Sequence, residues 1–258
     1  MMKPAARKTL ITIIKWAISF LILAWLYQQT KQADQFDVLW QSEKRYGWLV
    51  FALLIGLVTA LISFYRWYLL VRALNLEFSF YDAVRLGFLG NLLNLMSVGV
   101  LGGDALKSVF LARQLPGRAP EAVASVIFDR AIGLLAMFSF ASVAYLLTDF
   151  SGMELKHETE NQALNWVCRV TILLTLIGFA GLSVLFLTPR LHKTAIFKRL
   201  ANLPKLGSLF KRLVNVALAY RNRFGAVVAA FLLSILVNVG FALSFYGVAR
   251  GLSDVHPT

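Results

Sequence analysis

Apolar residues in this chain fall into long runs rather than amphipathic stripes. The runs cover residues 9–27, 48–65, 84–101, 122–147, 166–187 and 224–249. A helix rises 1.5 Å per residue, so about 20 apolar residues cross about 30 Å of hydrocarbon. No two-residue alternation competes with these runs. The predicted class is all-α: a polytopic integral membrane protein, read as one transmembrane domain over residues 1–258. Residues 9–27 follow Lys3, Arg7 and Lys8 and precede no small-residue cleavage site, so they read as an uncleaved span with the N-terminus in the cytoplasm.

The run 84–101 differs from the rest. Asn91, Asn94, Ser97, Gly99 and the pair Gly102–Gly103 interrupt or follow it. Charge sets its topology. Residues 188–223 carry Arg190, Lys193, Lys198, Arg199, Lys205, Lys211, Arg212, Arg221 and Arg223 with no acid, which places that loop in the cytoplasm. Residues 148–165 carry Asp149, Glu154, Glu158 and Glu160 against Lys156, which places them outside. If Arg66 closes the second run on the inside, an odd number of crossings separates it from Asp149. The run 122–147 supplies one crossing, so 84–101 supplies none. The segment 84–119 is therefore expected to be re-entrant, giving five full spans and one glycine-rich re-entrant hairpin. The alternative is six ordinary spans with a basic external loop. Non-helical backbone at membrane depth is tolerated only against protein or a wet cavity, so the re-entrant reading also predicts a cavity.

Composition sharpens this picture. Hydrophobic residues make up 59% and charged residues 15% of the 258, too few polar groups to cover a water-soluble fold of this size. The formal charge of +13 would suggest nucleic acid in a soluble protein. Here retention of Lys and Arg on the cytoplasmic side accounts for it, and no nucleic-acid partner is expected. The single cysteine, Cys168, reads as a small core hydrophobe. His157, His192 and His256 have no ligand spacing, so neither a metal nor a cofactor is expected. Within 189–223, Leu206, Leu209, Phe210, Leu213 and Ala217 recur at helical spacing among basic residues. That pattern reads as an amphipathic helix on anionic headgroups, or as a solvated basic loop.

The polar residues inside the apolar runs are the candidate chemistry. Gly102 and Gly103 permit close backbone approach, and Asp104 is placed to cap a helix over 105–114. Lys107, one turn on, would meet a lipid phosphate there, or would simply snorkel. Asp129 and Arg130 lie about 13 Å into a helix starting near Pro120. Adjacent helical residues point about 100° apart, so each requires a partner from another segment. Asp104 is the candidate for Arg130, and Lys107 or Arg85 for Asp129. The alternative is a span of 131–147 with both charges at the interface.

These residues resemble a known family. The run NLLNLMSVGVLGGDALKSVFLARQ followed by EAVASVIFDRAIGLLAMF is similar to the flippase-like transmembrane domain of the lysylphosphatidylglycerol synthase family. The matching positions are Asn94, Gly102, Gly103, Asp104, Lys107, Asp129, Arg130 and Gly133. Val98–Gly99 replaces a turn that often holds proline, and Lys107 stands where arginine is commoner, which removes bidentate phosphate recognition. Members usually continue into further spans, so a C-terminally shortened member is expected. The resemblance implies a plasma (inner) membrane protein handling charged or glycosylated lipids, anionic or polyprenyl-linked, by moving them between leaflets. It implies a substrate-binding cluster of Asn94, Gly102, Gly103, Asp104, Lys107, Asp129 and Arg130.

No catalytic residue is assigned. The chain carries no aminoacyl-transferase domain of the kind the synthases add, and no GxxxxGK[ST] phosphate loop, so enzyme activity is not expected. Two alternatives remain open at this stage. One is a membrane-embedded transferase acting on a lipid-linked donor with Asp104 or Asp129 as base. The other is a non-catalytic partner of envelope-biosynthesis enzymes.

Overall fold

The structure is a computed structural model and describes residues 20–21, 24–25, 28, 44–96, 102–114, 118–148, 158–187 and 219–252. Among these, the long elements are all helices: α1 Tyr46–Ala73, α2 Phe80–Met96, α3 Gly102–Gln114, α4 Ala119–Leu147, α5 Glu158–Leu187 and α6 Phe224–Leu252. Four stretches are long and apolar enough to cross a membrane: α1, α4, Leu164–Val184 within α5, and α6. The predicted span 9–27, the turn 97–101 and the surface segment 189–218 fall almost wholly outside the described residues, as do His157, His192 and His256.

The exposed faces of these helices are apolar. Leu57 and Val58 on α1, Leu134 and Val143 on α4, Leu173 and Leu176 on α5, and Leu232 and Leu236 on α6 are all open. An apolar surface of that extent is incompatible with water and suits lipid tails. Cys168 on α5 is only half-buried, so the expectation of a core cysteine is corrected. Its helix neighbours Trp166, Val167 and Val170 are exposed, which makes this stretch outward-facing.

The chain divides into two units, one comprising 1–53 with 244–258, the other 54–243. In the first, the start of α1 meets the end of α6. Ser244 Oγ donates to the Ala52 carbonyl at 2.9 Å, and Arg45 N donates to the Gly251 carbonyl at 3.1 Å. Trp48 sits edge-on to Tyr246 at 6.0 Å, an aromatic pair suited to a membrane interface.

The second unit holds the core, where Trp67, Leu70, Val71, Leu76, Leu111, Ile132 and Tyr220 are buried together. Its α1 does not stop at Arg66, as the charge suggests, but runs seven residues further to Ala73. Trp67 to Val71 continue the apolar sequence, and Arg66 is stabilised by a partner described below. After α1, Asn75 takes a left-handed turn with φ 56°. Arg118, just before α4, donates to the carbonyls of Asn75 at 3.1 Å and Leu74 at 3.0 Å. Arg223, just before α6, donates to Asn75 Oδ1 at 3.2 Å. The end of α1 and the beginnings of α4 and α6 thus meet at one end of the unit, and α2 and α3 leave from and return to that end. Ser79 opens α2: its hydroxyl accepts from Asp82 N at 3.1 Å and donates to the Asp82 carboxylate at 2.7 Å.

Candidate functional site

Four charged residues in the helices of the second unit form two side-by-side guanidinium–carboxylate pairs. Asp129, ten residues into α4, faces α1. Arg66 Nε donates to Asp129 Oδ1 at 2.8 Å and its Nη2 donates to Oδ2 at 3.0 Å. The third guanidinium nitrogen, Nη1, donates to Ser234 Oγ on α6 at 2.9 Å, and that hydroxyl in turn donates to the Ala230 carbonyl at 2.7 Å. The pair is buried, with side-chain exposures of 7% and 12%. Gly133 lies one turn beyond Asp129 and leaves the room that Arg66 needs. A Cβ on Gly133 would come within 3.1 Å of Arg66 Nη1.

Arg130, about 100° round the helix, faces α3 instead. Its Nε donates to Asp104 Oδ2 at 2.7 Å and its Nη2 to Oδ1 at 2.6 Å. Asp104 is largely covered at 14% exposure, while the Arg130 side chain is open at 46%. This second pair therefore offers a reachable cation held in place by a sheltered carboxylate.

The hairpin of α2 and α3 sets the position of Asp104. The α3 helix begins at Gly102, and Asn94 Oδ1 on α2 accepts from Gly103 N at 2.7 Å. The backbones of Gly90 and Gly103 are so close that a Cβ on Gly103 would strike the Gly90 carbonyl. Gly90 in turn leaves space for the Lys107 stem, whose Cε would lie 2.8 Å from a Cβ there. The Lys107 ammonium rests over Trp67 at 5.5 Å and Phe64 at 5.9 Å from the ring centres. Burial pulls Lys107 below its ordinary pKa, and Arg130 and Arg66 add to that, while the carboxylates of Asp129 and Asp104 oppose it.

The sequence reading places Asp104 against Arg130, and the structure has that pair. It corrects the partner of Asp129, which is Arg66 and neither Lys107 nor Arg85; Arg85 is exposed on α2. It also corrects the role of Asp104 as a helix cap. The helix starts two residues earlier, its Gly103 N–H is taken by Asn94, and the Asp104 carboxylate is engaged by Arg130. Asp129 is buried against a buried partner rather than open to solvent. Arg66, Ser234, Phe64 and Trp67 are absent from the sequence-based set. The signal for Arg66 is the apolar run WYLLV directly after it.

Two apolar cavities lie along α4, α5 and α6. One of about 330 Å³ is lined by Ile132, Phe186 and Phe224 among others, and one of about 490 Å³ by Val143, Ile172 and Ile235 among others. Both share Phe179 and Phe231, which meet edge-on at 5.6 Å. Tyr220, at the end of the predicted surface segment, is fully buried. It stacks on Phe128 at 4.3 Å and donates to the Leu70 carbonyl at 3.0 Å. Burial pushes its phenol well above the usual tyrosine pKa, so it stays a hydrogen-bond donor at neutral pH.

These pairs make a direct prediction. Asp104→Asn and Arg130→Gln should each lower thermal stability in detergent, and Asp104→Arg with Arg130→Asp should restore part of it. The half-open Arg130 limits the coupling to about 1 kcal/mol or somewhat more, below that of a fully buried pair. A double-mutant cycle measures it, and strictly additive losses would show the two residues to be energetically independent.

Helices long enough to span, apolar outer faces and ion pairs that join α1 to α4 and α3 to α4 define a polytopic membrane domain with an internal polar centre. The sequence matches the family described as Lysylphosphatidylglycerol synthase TM region over residues 12–258, and the chain belongs to that family. A search of curated proteins and a search of solved structures each found no match.

Proposed function

We propose that this protein handles membrane lipids, moving lipids with charged or glycosylated headgroups between leaflets of the plasma (inner) membrane, with its N-terminus in the cytoplasm. The observation that carries this reading is the Asp104–Arg130 pair. It presents an open guanidinium on a spanning helix, beside a hairpin that leaves from and returns to one end of the unit. A headgroup can exchange onto such a cation while its acyl chains lie along apolar cavities like those at Phe179 and Phe231. Asn94 and the glycines Gly102 and Gly103 shape the hairpin, Lys107 and Arg130 supply positive charge, and Asp104 and Asp129 orient the arginines. The shared end of α1, α4 and α6 supports the re-entrant reading of 84–119.

Reconstitution tests it. Purified protein in vesicles should accelerate loss of leaflet asymmetry of a labelled anionic phospholipid, without changing the headgroup. Headgroup transfer under the same conditions would favour a transferase. That reading is disfavoured because both oxygens of each carboxylate are already engaged by an arginine, which leaves neither carboxylate facing a substrate hydroxyl. Neither scrambling nor transfer would leave the role of an assembly partner for envelope-biosynthesis enzymes.

The topology has its own test. Single cysteines placed in 102–119 and 190–222 should resist an impermeant thiol reagent added outside, while those in 150–160 should react. External labelling of 108–118 would mean that 84–101 crosses the membrane.

A further inference from the structure

The charge count at the site is unbalanced. Two pairs, Arg66 with Asp129 and Arg130 with Asp104, are each neutral. Lys107 is a third cation in the field of the same four groups. Among the described residues it has no carboxylate within ion-pair distance and donates no hydrogen bond. Its ammonium instead lies over the rings of Trp67 and Phe64. A cation–π contact offsets only part of the loss of water around an ammonium. Trp67 carries a second orphan: it is 2% exposed, and its Nε1–H has no hydrogen-bond partner among the described residues. Buried donors without acceptors are rare in folded proteins and call for an explanation.

An anion answers both. One negative charge beside Lys107 brings the cluster of three cations and two carboxylates to neutrality. A phosphodiester has that charge and several acceptor oxygens. A cationic headgroup would add to an excess that is already positive, and a zwitterionic one would leave it unchanged. Lysine presents a compact point charge, which suits a phosphate oxygen without demanding the bidentate geometry of arginine.

We infer that Lys107, with Trp67 beside it, is an anion site that takes a phosphate monoanion, so that the site prefers ligands with one net negative charge. This rests on the proposed lipid-handling role for the headgroup as its source. Free inorganic phosphate shares the chemistry, and the experiment separates the two.

The experiment measures thermal unfolding of the full chain in non-ionic detergent. The additives are short-chain phosphatidylglycerol, short-chain phosphatidylcholine and inorganic phosphate. A ligand that binds the folded state raises Tm in proportion to its occupancy. Phosphatidylglycerol should raise Tm more than phosphatidylcholine. Lys107→Met should remove that difference, weakening apparent affinity about tenfold or more, as expected for a lost hydrogen bond to a charged group. Lys107→Arg should keep it. Trp67→Phe, which keeps a ring and deletes the N–H, should weaken it by a smaller factor. A shift by inorganic phosphate that matches phosphatidylglycerol and vanishes in Lys107→Met supports the site and assigns it to the free anion. Equal responses to the two lipids, with no Lys107-dependent response to phosphate, would overturn it. So would an undiminished phosphatidylglycerol response in Lys107→Met. If that variant does not fold, the lipid and phosphate responses of the unaltered chain decide. Transport is not read in this assay, so failure to scramble lipid leaves the site standing, and loss of the site leaves the transport reading standing.

Discussion

Asp129→Asn is expected to cost about 3–5 kcal/mol of stability, the loss typical when one partner of a buried ion pair is removed. The reason is the neighbour it leaves behind. Arg66 is 7% exposed on its side chain and has two of its nitrogens committed to the Asp129 carboxylate. Ser234 satisfies only the third. An amide offers one acceptor where two were used, and no negative charge. Arg66→Met should be about as damaging, because it strands the carboxylate instead. Replacing both together, with Arg66→Met and Asp129→Leu, should come closer to the parent than either single change, since a buried pair exchanged for apolar side chains is often near neutral. Folded yield on size exclusion and Tm in detergent measure all four chains. Additive losses in the double variant would mean that the two side chains do not depend on one another.

Gly103→Ala is expected to be the most disruptive single-methyl change in the second unit. The added Cβ would strike the Gly90 carbonyl and approach Asn94 Oδ1 to 2.7 Å. Both neighbours are constrained: the first is backbone, and the second is the acceptor of the Gly103 N–H. Overpacking of this sort costs about 1–3 kcal/mol, and the upper part of that range applies where no flexible side chain can yield. The shift would also carry Asp104, the next residue, away from Arg130. Gly181→Ala on α5 is the control, because nothing among the described residues lies within 4 Å of a Cβ there. It should be neutral or stabilising by up to about 1 kcal/mol, as alanine favours a helix interior over glycine. Comparable losses in both variants would point to a general intolerance of methyl groups rather than to the hairpin contact.

Much of this arrangement is legible in the residues alone. Run length and loop charge are one-dimensional properties, and they locate α1, α4, α5 and α6 to within a few residues apart from the end of α1 and the start of α5, which lies eight residues earlier, within the acidic loop. The Asp104–Arg130 pair is legible as well, since adjacent charges on one helix cannot share a partner and Asp104 is the one acid within residues 84–119. What the sequence hides is the far side of α4. Arg66 looks like the end of a span because a charge in an apolar stretch reads as a boundary. Only a third dimension shows that α1 continues and turns Arg66 toward Asp129. The cap is hidden for the same reason: Asp104 has the right residue type for a local role, but Asn94 reaches Gly103 from another helix and leaves Asp104 to Arg130. Local chemistry and tertiary contact compete for the same side chain, and here the tertiary contact wins.

The turn at Asn75 bears on how the second unit can deform. Arg118 and Arg223 grip this one left-handed residue and its neighbour from two directions, and so fasten three long helices at a single end. A rod pinned at one end can part from its neighbours only by swinging about the pin. The displacement is then smallest at Asn75 and grows with distance along the rods. For a separation of fixed angle, Arg66, about 10 Å before the end of α1, moves little. Thr59, about four turns from that end, moves further. The hinge and the wide mouth of any such opening are thus assigned by where two guanidinium groups happen to be anchored.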